Sequence, residues 1–259
     1  MNYWQERLAK AQAAITSKSA KQINKQLSRY YAATSRRVIE DFEAVYDKVM
    51  DDLAMERGIT PADLYKLDKY WQAQAQMREE LNKLGNREIA ILTRNFEADF
   101  FEVYYSFALE GGKAYSTIDN AAVSQMINQI WCADGKSWSA RVWANTELLA
   151  DTLNEQLIHC VATGKKTTEL KALLQERFNV SYNNADMIAR TELAHIQTQA
   201  AKKRYEDYGI QQVEILADED ERRCKVCGKL HEKRYLIGEH IPIPAHPRCR
   251  CCIVPVVEN

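Results

Sequence analysis

"RRCKVCGKLHEKRYLIGEHIPIPAHPRCRCCIVP", Arg222 to Pro255, holds five of the chain's seven cysteines and three of its five histidines. Cys224 and Cys227 form C-x-x-C, a spacing at which one tight turn aims two sulfurs at one ion, and Gly228 follows as such a turn favours. His246-Pro-Arg-Cys249 repeats the i, i+3 spacing around a rigid proline. Two close pairs separated by 18 residues are the layout of a structural zinc site, whose four protein ligands leave no open position for water. Thiolate and imidazole suit Zn²⁺. The spacing therefore selects Cys224, Cys227, His246 and Cys249 as ligands. Cys251 is the alternate, because residues two apart on a strand face the same way.

The remaining candidates are weaker. His231 and His240 have no partner at this spacing and read as surface or hairpin residues. Cys252 faces away from Cys251 as a small core residue, and Cys132 and Cys160 read as buried thiols in helices. The order of residues matches neither H-x-E…P-C-x-x-C of zinc deaminases nor H-E-x-x-H of zinc proteases. The site is thus a staple rather than a catalytic centre, and a metal-dependent hydrolase is an alternative that these motifs do not favour. A module of about 50 residues has a core of only a few kcal/mol. Structural zinc contributes roughly 10–16 kcal/mol of apparent binding energy in small peptides, enough to decide whether such a segment folds.

Outward from this cluster the texture changes. Four of the five prolines lie in the last 18 residues, while Gly and Pro are scarce before Gly209. Tyr3 to Met55 carries neither and is rich in Ala, Gln, Lys and Leu, which favour helix. Gly58 and Pro61 break it, and a second helix is predicted from Pro61 to Leu84, ended by Gly85. A third carries an apolar stripe at Ile89, Leu92, Phe96, Phe100, Val103 and Phe107, closed by Gly111-Gly112. Further helices are predicted from Ser139 to Ala162, over "TTELKALLQERF" capped by Thr167 or Thr168, and from Ala185 to Tyr208 after an opening at Ser181 to Asn183. "QQVEILAD" and "CCIVPVV" read as strands around the polar turn "DEDERR". The fold class read from this pattern is mainly α: an elongated helical N-terminal body, residues 1–165, and residues 166–259 ending in a zinc-stapled α+β module at about 210–256.

Composition narrows the function classes. The chain has 259 residues and a formal net charge of −1, so its total charge does not imply a polyanionic partner. No stretch reaches the roughly 18 apolar residues of a membrane span. The N-terminus has charges and glutamines where a signal peptide would be apolar. Synthesis in a reducing cytoplasm is expected, where clustered cysteines are ligands more often than disulfides. Charge is nevertheless uneven: residues 1–37 hold eight Lys/Arg against Glu6, and residues 38–63 hold eight acids against Lys48 and Arg57. The basic segment, Arg7 to Arg37 with Tyr30 and Tyr31, suits a DNA-binding alternative. The plainer reading is two solvated faces that attract each other or a neighbouring subunit.

Taken together, "ADMIARTELAHIQTQAAKKRYEDYGIQQVEILAD", C-x-x-C and the closing "HPRCRC" resemble the C-terminal domain of the Mu F-like minor head, or head morphogenesis, proteins of tailed bacteriophages, over about residues 167–255. The resemblance implies a virion component near the portal, made in the host cytoplasm and working in head assembly and DNA packaging. It implies portal and other head proteins as partners, contact with packaged DNA, and in some members ejection with the DNA. Some relatives carry appended toxin or ADP-ribosyltransferase domains. This chain ends four residues after Pro255, so no such domain and no enzymatic activity are expected. The Ala189–Glu192 element suggests a docking role: Arg190 reaching a carboxylate or carbonyl of the module, in the Asp218–Glu221 turn, and Glu192 accepting from its backbone or from Arg250.

Overall fold

The computed structural model describes residues 3–53, 61–106, 118–217 and 223–256. The chain is mainly helical with one small C-terminal sheet. Helix α1 (Tyr3–Leu53) follows the long Gly- and Pro-free segment, and α2 (Pro61–Leu64) starts on its proline. Helix α3 (Asp68–Ser106) joins what the sequence presents as two helices. Gly85, expected to terminate the first of them, lies inside α3 because its bare Cα admits a neighbour: a Cβ there would sit 2.8 Å from Trp143 Cζ3. Leu92, Phe96, Phe100 and Val103 of the predicted stripe are buried, whereas Ile89 is half-buried. Phe107 and the Gly111-Gly112 stop lie outside the described residues.

Helix α4 (Asn120–Ile127) is capped by Asp119, whose side chain accepts from the Ala121 N–H. Helix α5 (Trp138–Thr163) ends at Gly164, with φ of +60°. Helix α6 (Thr167–Asp207) is unbroken. Its N-terminus is closed from inside, Glu169 accepting from the Lys166 N–H at 3.0 Å, the returning half of a capping box. Thr167, expected as cap, donates instead to Asp47. The expected opening at Ser181–Asn183 does not occur: α6 continues through these residues and is braced there by Asn145 of α5. Asn145 donates to the Ser181 carbonyl at 2.9 Å, and Asn184 donates to Asn145 at 3.2 Å. The helix stops before Gly209, with φ of +78°.

Strand β1 (Gln212–Leu216), helix α7 (Lys225–Leu230), strand β2 (Arg234–Leu236) and strand β3 (Cys252–Pro255) complete the chain. The sheet is antiparallel with order β2-β1-β3, and Val213 pairs with both Tyr235 and Pro255. Both expected strands form, and β2 joins them. The "DEDERR" turn lies mostly outside the described residues.

The chain divides into two compact units. One comprises residues 1–24, 92–138 and 187–259, and the other 25–91 and 139–186. The first buries Phe96, Phe100, Leu193, Tyr205, Ile215 and Ile253. Across it runs a buried polar line. Gln197 donates to Asp99 at 2.8 Å, Ser19 also donates to Asp99, and Thr16 donates to Gln197 at 2.5 Å. Burial raises the Asp99 carboxyl to about 6 against these donors. The second unit buries Phe42, Tyr46, Tyr70, Leu81, Leu153 and Phe178. There Tyr31 donates to Glu88 at 3.0 Å, and burial raises Glu88 to about 7. Each large apolar side chain fully removed from water contributes about 1.5–3 kcal/mol, so apolar burial between helices carries the second unit, and the buried strands β1 and β3 add to it in the first.

Candidate metal centre

The C-x-x-C segment folds into the first turn of α7. Cys224 is its N-cap, with its Sγ accepting from the Cys227 N–H at 3.3 Å and its carbonyl from the Gly228 N–H at 2.9 Å. The second pair makes a matching turn in which the Cys249 N–H donates to the His246 carbonyl at 3.2 Å. Arg248, between them, has φ of +59°. The chain then enters β3, which is paired to the central strand, so the sheet holds Cys251 beside the first turn.

These turns converge. Cys224, Cys227 and His246 have donor atoms all within 4.8 Å of one another, and so do Cys227, Cys249 and Cys251. Cys227 belongs to both groups. Its Sγ lies 3.0 Å from His246 Nε2 and 3.8 Å from Cys249 Sγ. Cys227, Cys249 and Cys251 are buried, Cys224 and His246 half-buried.

The histidine is set in one tautomer. His246 Nδ1 lies 2.8 Å from the Pro247 carbonyl, and a carbonyl only accepts, so Nδ1 carries the proton. The Nε2 lone pair therefore faces the Cys227 sulfur, the arrangement in which an imidazole ligates a metal with its other nitrogen held by a backbone acceptor. Crowded sulfurs cannot all ionise alone. Hydrogen bonding from Cys251 lowers Cys249 to about 5, whereas desolvation raises Cys227 to about 12. A divalent cation reverses that hierarchy by favouring every thiolate it touches. The donors thus fit a soft divalent ion.

Other predicted residues fall outside the cluster. His231 Nδ1 accepts from the Ala217 N–H at 3.2 Å, closing the end of β1, and His240 is exposed. Cys252 is half-buried and Cys160 is buried in α5. Cys132 was expected in a helix. It lies in a turn instead, half-buried, its carbonyl accepting from the Gly135 N–H at 3.1 Å.

The helix that flanks the cluster meets it through a residue that the sequence did not single out. Thr191 Oγ1 accepts from the Arg248 N–H at 3.0 Å, tying α6 to the second turn. Its neighbours in the Ala-Arg-Thr-Glu element differ in exposure. Arg190 is exposed, and the Asp218–Glu221 turn lies outside the described residues. Glu192 is buried at 3% exposure and accepts from Trp131 Nε1 at 2.8 Å. The Trp131 ring also stacks on His195, with centroids 4.4 Å apart and planes 8° apart. Tyr205 donates to the Ile253 carbonyl at 3.3 Å, a second tie from α6, here to β3.

Residues 151–254 match the family model described as Phage Mu protein F like protein. The stretch containing the second half of α5, all of α6, nearly all of the sheet and the cysteine cluster is therefore of the Mu F-like kind, as its resemblance implies. The NAD(+)--arginine ADP-ribosyltransferase EFV of Enterococcus faecalis is 27% identical over 143 residues, which is 48% of this chain and 29% of that protein. The match thus spans under a third of that relative's length. No solved structure matches. Among the described residues, no helix is long and apolar enough to cross a membrane.

Proposed function

We propose that the chain is a minor phage head protein acting in head assembly and DNA packaging near the portal, with one structural zinc ion in its C-terminal segment. The observation that carries this reading is the convergence of five donor atoms inside the stretch matched as Phage Mu protein F like. Cys224, Cys227, His246 and Cys249 would hold the ion, with Cys251 as the alternate for Cys249. Once bound, the ion supplies cross-linking of the two turns and no reaction step. The chain's own residues carry the rest: Thr191 and Tyr205 hold the module against α6, and Pro247 orients the imidazole. Arg190 and Glu192 belong to this docking helix.

In this reading, residues 1–165 form a helical body that meets the portal and other head proteins, and residues 166–259 form the head-morphogenesis domain. The protein resides in the virion, touches packaged DNA and is not an enzyme. The transferase named above shares with this chain a region that is 29% of its own length, and that activity is not carried over.

Co-expression with the neighbouring head and portal gene products, affinity purification and elemental analysis test the proposal. A portal-sized ring carrying the chain with one zinc per copy is expected. A metal-bearing chain that never joins the ring refutes the portal role. A ring-bound chain without metal refutes the staple.

A further inference from the structure

The exposed face of α1 between Lys25 and Asp51 repeats in a particular order. Lys25, Arg29, Ala32, Arg36, Glu40, Ala44, Asp47 and Asp51 are all exposed, and all belong to the second compact unit. Their spacings of 4, 3, 4, 4, 4, 3 and 4 keep them in one stripe. The series Lys25–Arg36–Asp47 and Arg29–Glu40–Asp51 each advance by 11 residues, three turns and about 20° more, so the stripe winds only slowly around the helix.

The order of charges is antisymmetric about position 38. Lys25 mirrors Asp51, Arg29 mirrors Asp47, Arg36 mirrors Glu40, and Ala32 mirrors Ala44. Every cation faces an anion under this reversal, and the small residues face each other. Within the chain this potential is little used. Among the described residues, Lys25, Arg29, Arg36, Glu40 and Asp51 form no ion pair, and Asp47 accepts only from Thr167. Arg37 and Glu43, which flank the stripe, pair inward with Glu80 and Lys171.

We propose that this stripe is a self-complementary contact for a second copy of the chain, the two α1 helices lying antiparallel about a two-fold axis level with residue 38. A two-fold contact is isologous, each patch meeting its own copy, and this is the one arrangement in which the reversal of charge along the helix becomes complementary. It yields three distinct ion pairs, each occurring twice. Ala32 against Ala44 leaves room for the axes to approach to about 8–10 Å. A nucleic-acid backbone fits less well, because Glu40, Asp47 and Asp51 continue the same line and repel phosphate. Exposed ion pairs are individually weak, so the contact relies on all six and loosens as salt screens them. It does not depend on the metal centre or on the head-protein reading.

Sedimentation velocity on the full chain tests this at about 0.05 M and about 0.5 M salt. A dimer at low salt that becomes monomer at high salt is expected. The double variant Lys25→Glu/Arg29→Glu and the double variant Asp47→Lys/Asp51→Lys should each be monomeric at low salt, with helical circular dichroism unchanged. Mixed in equal amounts, they should form a heterodimer, since every pair is then restored. Positions 25 and 51 lie about 39 Å apart along one helix at 1.5 Å per residue, so rescue on mixing arises only between copies. A wild-type monomer at low salt, or a mixture that stays monomeric, overturns the proposal. So does retarded migration of duplex DNA, lost in Lys25→Glu/Arg29→Glu, without dimerisation.

Discussion

At the residue scale, Gly85 and Cys227 show how one position acquires its identity from opposite causes. Glycine inside a helix costs about 1 kcal/mol relative to alanine, so propensity alone recommends Gly85→Ala. The added Cβ would meet the Trp143 ring at 2.8 Å, and a buried clash of this kind costs about 1–3 kcal/mol. Chemical denaturation of Gly85→Ala should therefore show a net loss of stability, and an unchanged or raised midpoint would contradict the packing explanation. Cys227 belongs to both three-donor groups. Cys227→Ser should abolish zinc in the purified protein, whereas Cys252→Ser, one residue beyond the second group, should retain it. Elemental analysis of the two variants decides the matter.

At the element scale, β1 and β3 bury Val213, Ile215, Ile253 and Val254, whereas α7 buries only Cys227 and the three residues of β2 are mostly exposed, so the turns that carry the cysteines have little apolar burial of their own. Hydrogen bonds at Thr191, Lys202 and Tyr205 tie the segment to α6. Chelation should accordingly speed amide exchange across α7 and β2, while the amides of α5 keep their protection. Uniform protection after chelation would mean that the sheet stands without an ion. The cysteine spacing revealed this element from sequence because ligand geometry is local: two i, i+3 pairs must form turns. Helix boundaries were less legible. Gly85 and the Ser181–Asn183 run carry local stop signals, yet both lie within helices, since tertiary contacts from Trp143 and Asn145 decide there. Trp131 left no trace in the sequence because its role comes from a long-range contact with Glu192.

At the scale of the whole molecule, buried titratable groups set the response to pH. Glu88 keeps its proton up to about 7 in the folded chain, against 4.5 ordinarily. Between those values the folded state binds the additional proton, so the contribution to stability falls as pH rises. Asp99 acts in the same sense between 3.8 and about 6. His195 opposes it: burial lowers it from 6.5 to about 4, so its contribution is lost as pH falls through that window. Asp99 and His195 share one unit and offset each other, whereas Glu88 stands in the other. Glu88→Gln should raise the urea midpoint at pH 8 by the equivalent of up to about 3 kcal/mol and leave it nearly unchanged at pH 4. A wild-type midpoint that does not fall between pH 5 and pH 8 relative to the variant would refute this.

Helix α6 passes from one compact unit into the other, and the stretch matched to the phage family begins only at residue 151. A gene fragment trimmed to that stretch would lack the parts of α1 and α3 that share a compact unit with the buried Leu153, Leu170 and Phe178. Such a fragment should enter inclusion bodies, so the domain boundary drawn by similarity is a poor place to cut for crystallisation or antibody production.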